Sequence, residues 1–514
     1  MHNSKKRASY YVFALIWLMG ANLLIFLTIW LSQKYDNVLI DQFIYQMKTP
    51  AAGANRTLRN SAIIKVGLFG VLLTFAETMF YLVCTGRFEN KLKKYHIYAK
   101  IMATKVCDFV KRKAMPIALS CLLVAVSAFT IRFDVIGYVN KITSDSKLIE
   151  NHYVSPNDAV ITFPKEKRNL IYIFLESMEV TYADTENGGT KIDYIPELTK
   201  LAKENISFSN TSGLGGGYSF NGTTWTAASM VSQTSGMIVQ VPLTAENYGG
   251  ENEYIPGLVS LGEILEKQGY NQTLLLGSDA SFASRDSYFT EHGNYNVVDI
   301  NALKEEGRLP QDYVEWWGYE DEKLFKFAKE ELEKLSKEGE PFNFTMLTAD
   351  THFPDGYVCP QCDDEYESQY ANVLRCSSKQ VYSFIEWIKE QEFYENTTIV
   401  ISGDHLTMDP KFLEDLDETY ERTLYNCIIN SPTKPVKEKN REFATFDMLP
   451  TTLAAMGVEI EGDKLGLGVN LFSGEKTMTE EYGFELLNYE LQKNSEFYNT
   501  KFLEMNKEEA QKTR

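Results

Sequence analysis

Three stretches of the chain are continuously apolar over a length that ordinary surface helices do not reach. They cover residues 10–31, 62–84 and 114–131 of the 514-residue chain. Each is close to the roughly 20 residues that a helix needs to cross the hydrocarbon core of a bilayer. The pattern therefore predicts a transmembrane anchor of three helices over residues 1–134.

Beyond the anchor, short apolar runs alternate with stretches of helical periodicity. Residues 170–175 read LIYIFL, and comparable runs recur at 273–276, 344–347 and 397–401. Such runs are typical of strands that are buried on both faces of a parallel sheet. Their alternation with helices predicts an α/β fold with a doubly wound, mostly parallel sheet. In that fold, ligands bind beyond the carboxyl ends of the strands.

The same patterns divide the remaining chain into three parts. Residues 135–164 lack periodicity and carry Asn, Ser, Asp and Pro, which is typical of a linker. Residues 165–475 hold the predicted strands and helices and form the folded domain. Residues 476–514 are charged, with a few aromatic side chains, and we predict a C-terminal tail to which we assign no chemistry.

Basic residues predict the orientation of the anchor. Lys5, Lys6 and Arg7 precede the first span, and nine Lys and Arg residues lie between the second and third spans. An excess of basic residues marks the cytoplasmic side of a membrane. The first span is too long for a signal peptide and no small-residue cleavage site follows it, so we predict an uncleaved anchor. The interpretation is a multi-pass protein of the cell membrane with a cytoplasmic N-terminus and an extracytoplasmic folded domain.

Charge separates the two regions as well. Residues 1–134 carry 18 Lys and Arg against 6 Asp and Glu, whereas residues 135–514 carry 33 against 64, a formal net charge of −31. Proteins that bind nucleic acid rely on clustered Lys and Arg to contact phosphates. The composition therefore argues against a nucleic-acid partner and for the lipid bilayer as one partner.

Four of the seven cysteines lie in the predicted extracytoplasmic part, where stable disulfides form: Cys359, Cys362, Cys376 and Cys427. The first two form a CxxC motif. A zinc site would need a second such pair or histidines at suitable spacing, and the sequence has neither. We therefore predict a disulfide between Cys362 and Cys376.

Acidic residues and a histidine follow two of the predicted strands. Glu176 comes directly after the 170–175 strand, and Asp404 with His405 follows the 397–401 strand. Two carboxylates and one imidazole suit a divalent cation such as Mn²⁺ or Mg²⁺, with Zn²⁺ as a third option. The alternative for Glu176 alone is a helix cap or a loop residue.

A glycine-rich loop lies between these strands, and residues 213–230 read GLGGGYSFNGTTWTAASM. Such a loop lets backbone N–H groups approach an anion. A threonine at the helix start that follows is a candidate nucleophile, because metal contact and the helix terminus both favour its deprotonated form. Thr223, Thr224 and Thr226 all compete, and spacing favours Thr226 only modestly, as the residue before the small-residue helix start.

Two further polar residues follow strands. Arg285 lies after the 273–276 strand and His352 after the 344–347 strand. Either side chain suits a phosphate oxygen or a substrate hydroxyl. The alternatives are structural roles, with the arginine paired to Asp286 and the histidine capping a loop.

Four motifs together resemble those of one enzyme family. They are LESME at 175–179, GTTWTAASMVSQTSG at 222–236, TADTHFPDG at 348–356 and ISGDH at 401–405. Their order and spacing are similar to those of the lipoteichoic acid synthase and phosphoglycerol transferase I family, within the alkaline phosphatase and sulfatase superfamily. The resemblance covers residues 155–475 and is closest to the phosphoglycerol transferase I branch.

The resemblance implies a role for each candidate residue. It implies that Glu176, Thr226, Asp404 and His405 bind a Mn²⁺-type ion and that Thr226 is also the nucleophile. It further implies that two residues hold the phosphoglycerol group: Arg285 and His352. Two departures from the family pattern stand out: Ala283 replaces the tryptophan of lipoteichoic acid synthases, and the anchor has three spans rather than five.

The implied activity is the transfer of glycerol phosphate from phosphatidylglycerol to a cell-envelope glycan or teichoic acid acceptor, through a covalent intermediate on threonine. Alternatives within the superfamily are phosphoethanolamine transfer and phosphodiester hydrolysis. An alternative of another class is a non-catalytic sensor of an envelope glycan. The sequence makes no prediction about the oligomeric state.

Overall fold

The computed structural model describes most of the chain, in five segments: 2–35, 39–50, 56–85, 105–409 and 411–504. The chain divides into two compact units. The first comprises Met1–Val38 and Asn55–Val139, and the second comprises Leu39–Ala54 and Asn140–Arg514.

The first unit contains three helices that are long and apolar enough to cross a membrane. They are Tyr11–Lys34, Thr57–Cys84 and Lys105–Arg132. The three predicted spans are thus confirmed as helices of suitable length and composition. The second of them combines three helical segments: Arg56–Ala62, the π-helical Ile63–Leu68 and Phe69–Cys84.

A polar contact joins two of these helices. Asn22 Nδ2 donates to Glu77 Oε2 at 2.7 Å and to Thr74 Oγ1 at 3.0 Å. An acidic side chain within a membrane span is costly unless a polar partner meets it. Asn22 supplies that partner and holds the first helix to the second.

The first unit also contains a disulfide between Cys84 and Cys107. This bond differs from the sequence-based expectation, because the predicted orientation places both residues in the membrane or on the cytoplasmic side, where cellular reductants keep thiols reduced. The bond forms because the two helix ends bring the Cα atoms within 4.9 Å. The orientation of the anchor stays a prediction.

The second unit is built on a six-stranded sheet with strand order β4-β3-β5-β2-β6-β7. All neighbouring pairs are parallel except β6 and β7. This confirms the predicted α/β fold with its mostly parallel sheet. The strands are β1 Ile161–Thr162, β2 Asn169–Leu175, β3 Asn271–Leu276, β4 Asn296–Val298, β5 Phe342–Leu347, β6 Thr397–Gly403, β7 Asn426–Ile429, β8 Glu459–Ile460, β9 Lys464–Leu465 and β10 Gly468–Val469.

Strand β2 shows why its sequence is apolar throughout. All seven of its residues are buried. Successive side chains of a strand point to opposite faces. Tyr172 and Phe174 pack into the core on one face of the sheet, whereas Ile171 and Ile173 pack into the core on the other.

The helices of the second unit follow the strands and pack around the sheet. They are Ile40–Lys48, Leu148–His152, Pro196–Glu204, Thr226–Ser235, Leu261–Glu266, Arg285–Glu291, Ile300–Glu305, Asp321–Leu335, Gln369–Lys389, Met448–Ala455, Met478–Tyr482, Phe484–Leu491 and Glu496–Tyr498, while Val135–Ile142 crosses the boundary between the units.

Two regions differ from the sequence-based domain boundaries. The predicted linker contains two helices, Val135–Ile142 and Leu148–His152, and strand β1, which pairs with β8. The predicted C-terminal tail forms short helices up to residue 503, and several of its apolar side chains are buried, among them Leu487, Leu491, Tyr498 and Phe502. Its high charge content concealed these few core positions. Residues 505–514 of that tail lie outside the described part of the chain.

A helix between the first two spans also joins the second unit. Ile40–Lys48 lies within the predicted anchor, yet its residues group with the folded domain. Tyr45 on this helix is fully buried there.

Candidate metal and nucleophile site

The site forms where two central strands end side by side. Strands β2 and β6 are parallel neighbours, and Leu175 pairs with Gly403. Glu176 and Asp404 are the next residues of each strand, so the sheet itself brings their carboxylates together. Glu176, Asp404 and His405 are at most 2% exposed and offer ligand atoms that all lie within 4.8 Å of one another.

The Thr226 hydroxyl completes this group. Its Oγ1 lies 3.3 Å from Glu176 Oε2 and 3.2 Å from His405 Nε2. Thr226 is the first residue of the helix Thr226–Ser235 and is half-buried, so its hydroxyl stands beside the carboxylates without being sealed from solvent. Trp225 precedes it as the N-cap and makes no side-chain cap, which leaves the first N–H groups of the helix available to an anion.

The other two candidate threonines are placed differently. Thr223 Oγ1 donates to Phe220 O at 2.8 Å and accepts from Phe220 N at 3.0 Å, so this hydroxyl closes a local turn. Thr224 Oγ1 is buried and has no hydrogen-bond partner within the described segments. The structure thus brings Thr226, rather than its neighbours, to the acidic group.

The two carboxylate oxygens of Asp404 have different surroundings. Oδ1 accepts from the backbone N–H groups of Ser177 and His405, each at 2.7 Å. Oδ2 is buried and has no hydrogen-bond partner among the described residues. A buried acceptor without a donor is costly, and a cation ligand relieves that cost. Ser177 reaches Oδ1 through a left-handed backbone with φ of 52°, the kind of strain that collects at functional sites.

His405 is oriented as a metal ligand would be. Its Nδ1 lies 2.8 Å from Leu406 O and donates to that carbonyl, so Nε2 faces Glu176 and Thr226 and becomes a ligand atom when a cation displaces its proton. The donors present are therefore carboxylate oxygens, a hydroxyl and one imidazole nitrogen. This set fits a divalent cation of the Mn²⁺, Mg²⁺ or Zn²⁺ type.

Strong electrostatic coupling accompanies this arrangement. Burial raises the pKa of Asp404 and the charge of Glu176 adds to that effect, to about 7. Burial alone would lower the pKa of His405, but Asp404 and Glu176 raise it to about 10. Burial alone would raise the pKa of Glu176, but the nearby imidazoles of His352 and His405 and the hydrogen bonds from His405 and Ser177 lower it. The two buried carboxyl groups thus hold His405 protonated, and a divalent cation bound here would take the place of that positive charge.

Arg285 follows β3, as predicted, at the first position of the helix Arg285–Glu291, and its side chain is held in one orientation. Its Nη2 donates to Ser278 Oγ at 3.0 Å and to Asp279 O at 2.7 Å, and its Nε donates to Phe282 O at 3.1 Å. The guanidinium is held by this loop and not by Asp286, the structural alternative that the sequence allowed. Nη1 has no hydrogen-bond partner in the part of the chain that the structure describes, so it remains available to a ligand.

His352 lies after β5 and packs between two rings. Its ring centroid is 4.5 Å from that of Trp317 and 4.9 Å from that of Phe353, and its Nδ1 is 2.6 Å from Phe353 O. Burial lowers its pKa more than the charge of Glu176 raises it. His352 is therefore a neutral imidazole with one nitrogen engaged.

Glu179 is a supporting residue that the sequence reasoning missed. It is fully buried, accepts from Thr407 N at 2.7 Å, and pairs with Arg422 through Nε at 2.9 Å and Nη2 at 2.5 Å. These contacts fix the chain just beyond His405. The second glutamate of the LESME motif was the available signal.

Tyr45 is a second residue that the sequence reasoning missed. Its ring lies 5.2 Å from that of Trp225, and its hydroxyl donates to Ala283 O at 2.8 Å and lies 2.9 Å from Tyr254 Oη. Trp225 precedes Thr226 directly. Tyr45 thus connects the loop before Thr226 with the loop of Arg285. No sequence signal marked it, because it lies between two apolar spans.

The predicted Cys362–Cys376 disulfide is not formed in this structure. Cys359, Cys362 and Cys376 are free cysteines, and Cys359 Sγ lies 3.7 Å from each of the other two sulfur atoms. The helix Gln369–Lys389 brings Cys376 towards the CxxC loop, where Cys359 occupies the central position.

Comparison with known proteins identifies the fold independently. The Sulfatase family model matches residues 168–458. A phosphoglycerol transferase I from Escherichia fergusonii is 31% identical over 322 residues, which are 61% of this chain and 40% of that protein. The chain therefore spans about two fifths of the length of the curated relatives it matches. This similarity confirms the resemblance seen in the four motifs.

Two solved structures are also similar. The integral membrane protein lipooligosaccharide phosphoethanolamine transferase A from Neisseria meningitidis has a TM-score of 0.50 and 14% identity, over 85% of this chain and 83% of that one. The lipoteichoic acid synthase LtaP from Listeria monocytogenes has a TM-score of 0.46 and 18% identity, over 64% of this chain and 82% of that one. At these identities, the first of them supports the fold alone.

Proposed function

The chain belongs to the sulfatase family, and from that premise we propose that it is a metal-dependent transferase of glycerol phosphate. The donor is phosphatidylglycerol, and the acceptor is a cell-envelope glycan or a teichoic acid. The observation that carries the proposal is the position of the Thr226 hydroxyl, 3.2 Å from His405 Nε2 and 3.3 Å from Glu176 Oε2. The sequence has no C/S-x-P-x-R motif, which sulfate ester hydrolysis would require of its nucleophile.

Four residues would hold the cation: Glu176, Thr226, Asp404 and His405. We favour Mn²⁺, with Mg²⁺ or Zn²⁺ as alternatives. When bound, such an ion supplies positive charge that eases deprotonation of a coordinated hydroxyl and offsets charge on phosphoryl oxygens. Oδ2 of Asp404 supports this assignment, because no described residue donates a hydrogen bond to it and its nearest charged neighbour, His405 Nε2 at 3.5 Å, is a ligand of the same proposed cation.

The reaction proceeds in two displacements on Thr226. Oγ1 attacks the phosphorus of phosphatidylglycerol, the bond from phosphorus to the diacylglycerol oxygen breaks, and diacylglycerol leaves with a proton. The product is a glycerophosphoryl ester of Thr226. An acceptor hydroxyl then attacks the phosphorus, takes the glycerophosphoryl group and returns a proton to the threonine oxygen.

Other residues orient the phosphate and its glycerol. The N–H groups at the start of the helix Thr226–Ser235 and the free Nη1 of Arg285 are donors for phosphoryl oxygens. His352 is neutral because burial lowers its pKa, so its ring can accept a hydrogen bond from a glycerol hydroxyl. Arg285 and His352 follow strands β3 and β5 on the side of the sheet where ligands bind in this type of fold.

The anchor explains how the enzyme meets a lipid substrate. Three helices of membrane-spanning length are present in the first unit. We propose that they lie in the cell membrane with the N-terminus in the cytoplasm and that residues 165–475 form the extracytoplasmic catalytic domain. A donor that resides in the same bilayer is then delivered by lateral diffusion.

The test is release of diacylglycerol from fluorescent phosphatidylglycerol by the full-length chain in detergent with Mn²⁺. We expect Thr226→Ala to lose release entirely, whereas Thr419→Ala, at an exposed loop position, keeps it. Release by Thr226→Ala at the wild-type rate would refute the nucleophile. Labelled phosphatidylethanolamine in the same assay reveals phosphoethanolamine transfer, free glycerol phosphate reveals phosphodiester hydrolysis, and no turnover of any lipid supports a non-catalytic sensor.

A further inference from the structure

Three cysteine sulfur atoms lie together outside the group around Thr226. Cys359 and Cys362 belong to the loop between β5 and the helix Gln369–Lys389, and Cys376 lies on that helix. Their Sγ atoms are all within 4.8 Å of one another. Cys359 and Cys376 are buried, at 2% and 3% exposure, and Cys362 is half-buried.

The distances between the sulfur atoms are compatible with a metal site and too long for a disulfide. Cys359 Sγ is 3.7 Å from Cys362 Sγ and 3.7 Å from Cys376 Sγ. A tetrahedral zinc ion with Zn–S bonds of about 2.3 Å holds its sulfur ligands about 3.8 Å apart. A disulfide instead requires about 2.05 Å. Both contacts of Cys359 thus match edges of a zinc tetrahedron.

The backbone and a neighbouring side chain support metal binding as well. The two-residue spacing of Cys359 and Cys362 closes a turn, with Cys362 N donating to Cys359 O at 3.0 Å, and this C-x₂-C spacing is frequent in zinc sites. Gln380 Nε2 lies 3.3 Å from Cys376 Sγ and 3.7 Å from Cys359 Sγ. An amide N–H that points at thiolates offsets their negative charge and orients them.

The sequence-based expectation was that zinc would need a second CxxC pair or histidines; because the fold brings the distant Cys376 to the CxxC loop, we propose instead that Cys359, Cys362 and Cys376 bind one Zn²⁺ ion through their thiolates. Four-coordinate zinc then needs one more ligand. In this proposal the fourth ligand is a water molecule from a neighbouring cavity of about 710 Å³, whose lining includes Cys376 and Gln380. The ion ties the loop that carries His352 to the helix Gln369–Lys389, and it shields the thiols from oxidation outside the cytoplasm.

Zinc content of the full-length chain, purified in detergent with a reducing agent, tests the proposal. We expect one zinc ion that Cys359→Ser and Cys376→Ser both lose. Cys427→Ser is the matched control, because Cys427 is a buried free cysteine outside the cluster, and it retains the ion. Asp404→Asn also retains it, which separates this site from the one around Thr226. Gln380→Ala retains it with roughly 10-fold weaker affinity.

A second measurement keeps the test decisive if a serine variant fails to fold. Metal-free wild-type chain is titrated with Co²⁺, and sulfur-to-cobalt charge-transfer absorption is expected, lost again when Zn²⁺ displaces the Co²⁺. Absence of that absorption from the reduced protein would overturn the proposal. So would zinc retention by a folded Cys359→Ser/Asp404→Asn double variant, in which the group around Thr226 is disrupted as well, or a metal-free protein in which mass spectrometry finds a disulfide among these three cysteines.

Discussion

At the scale of single residues, Asp404 has two tasks, and a substitution can separate them. Asparagine keeps an oxygen for the N–H groups of Ser177 and His405 but removes the negative charge that faces the proposed cation. We expect Asp404→Asn to fold as wild type and to lower lipid turnover on the order of 100-fold, because a charged ligand is lost. A Mn²⁺ titration of diacylglycerol release measures this, with the exposed Asp417→Asn as control. Unchanged Mn²⁺ dependence would argue against Asp404 as a ligand.

The ion pair of Glu179 and Arg422 belongs to the same scale. Glu179 is fully buried, and the Arg422 side chain is 23% exposed. Removing the arginine leaves a buried carboxylate with only backbone and hydroxyl donors. We expect Arg422→Ala to lower the free energy of unfolding by about 3 kcal/mol, the low end for a broken buried pair. Thermal unfolding of the purified chain measures it, and a change below about 0.5 kcal/mol, the range of ordinary surface substitutions, would contradict the prediction.

Among the elements, the helix Ile40–Lys48 contacts two loops of the site through Tyr45. Tyr45→Phe removes the hydroxyl that donates to Ala283 O and meets Tyr254 Oη, leaving buried polar groups with fewer partners. We expect a loss of about 1–2 kcal/mol in stability and a several-fold loss in kcat, because the loop of Arg285 loosens. Tyr489→Phe, at an exposed position, is the matched control and should change neither quantity.

Elements also show what the sequence could and could not predict. Strands β2, β3, β5 and β6 follow from apolar runs, because a strand buried on both faces tolerates few polar residues. The helix Ile40–Lys48 escaped prediction because it is short and lies between two membrane spans. The helices after residue 476 escaped because their few core positions are surrounded by charged residues.

The sequence predicted less of the site than of the fold. The sequence predicts that Glu176 and Asp404 lie at one edge of the sheet, since both follow strands of a parallel sheet, and the structure adds that these two strands are neighbours. The choice of Thr226 over Thr223 and Thr224 needed the family resemblance, and the structure places it beside the carboxylates through a turn that Thr223 closes. The contact of Ser177 with Asp404 depends on a left-handed residue that no periodicity reveals.

At the scale of the whole molecule, the orientation in the membrane is the open prediction. Basic residues flanking the spans place the second unit outside, whereas the Cys84–Cys107 disulfide is more typical of an oxidising compartment. We expect a membrane-impermeant maleimide to label Thr419→Cys on intact cells and to leave Lys93→Cys unlabelled until the membrane is opened. Labelling of Lys93→Cys on intact cells would reverse the orientation.

Thr226 is the residue that we propose carries the transferred group. The full-length chain is incubated briefly with phosphatidylglycerol and Mn²⁺, without acceptor, then denatured and digested, and its peptides are mapped by mass spectrometry. We expect a glycerophosphoryl ester on Thr226 that disappears when an acceptor glycan is added. The assignment of Thr226 is contradicted if the ester is found on Thr223 or Thr224. It is also contradicted if Thr226→Ala releases diacylglycerol at the wild-type rate with no modified peptide.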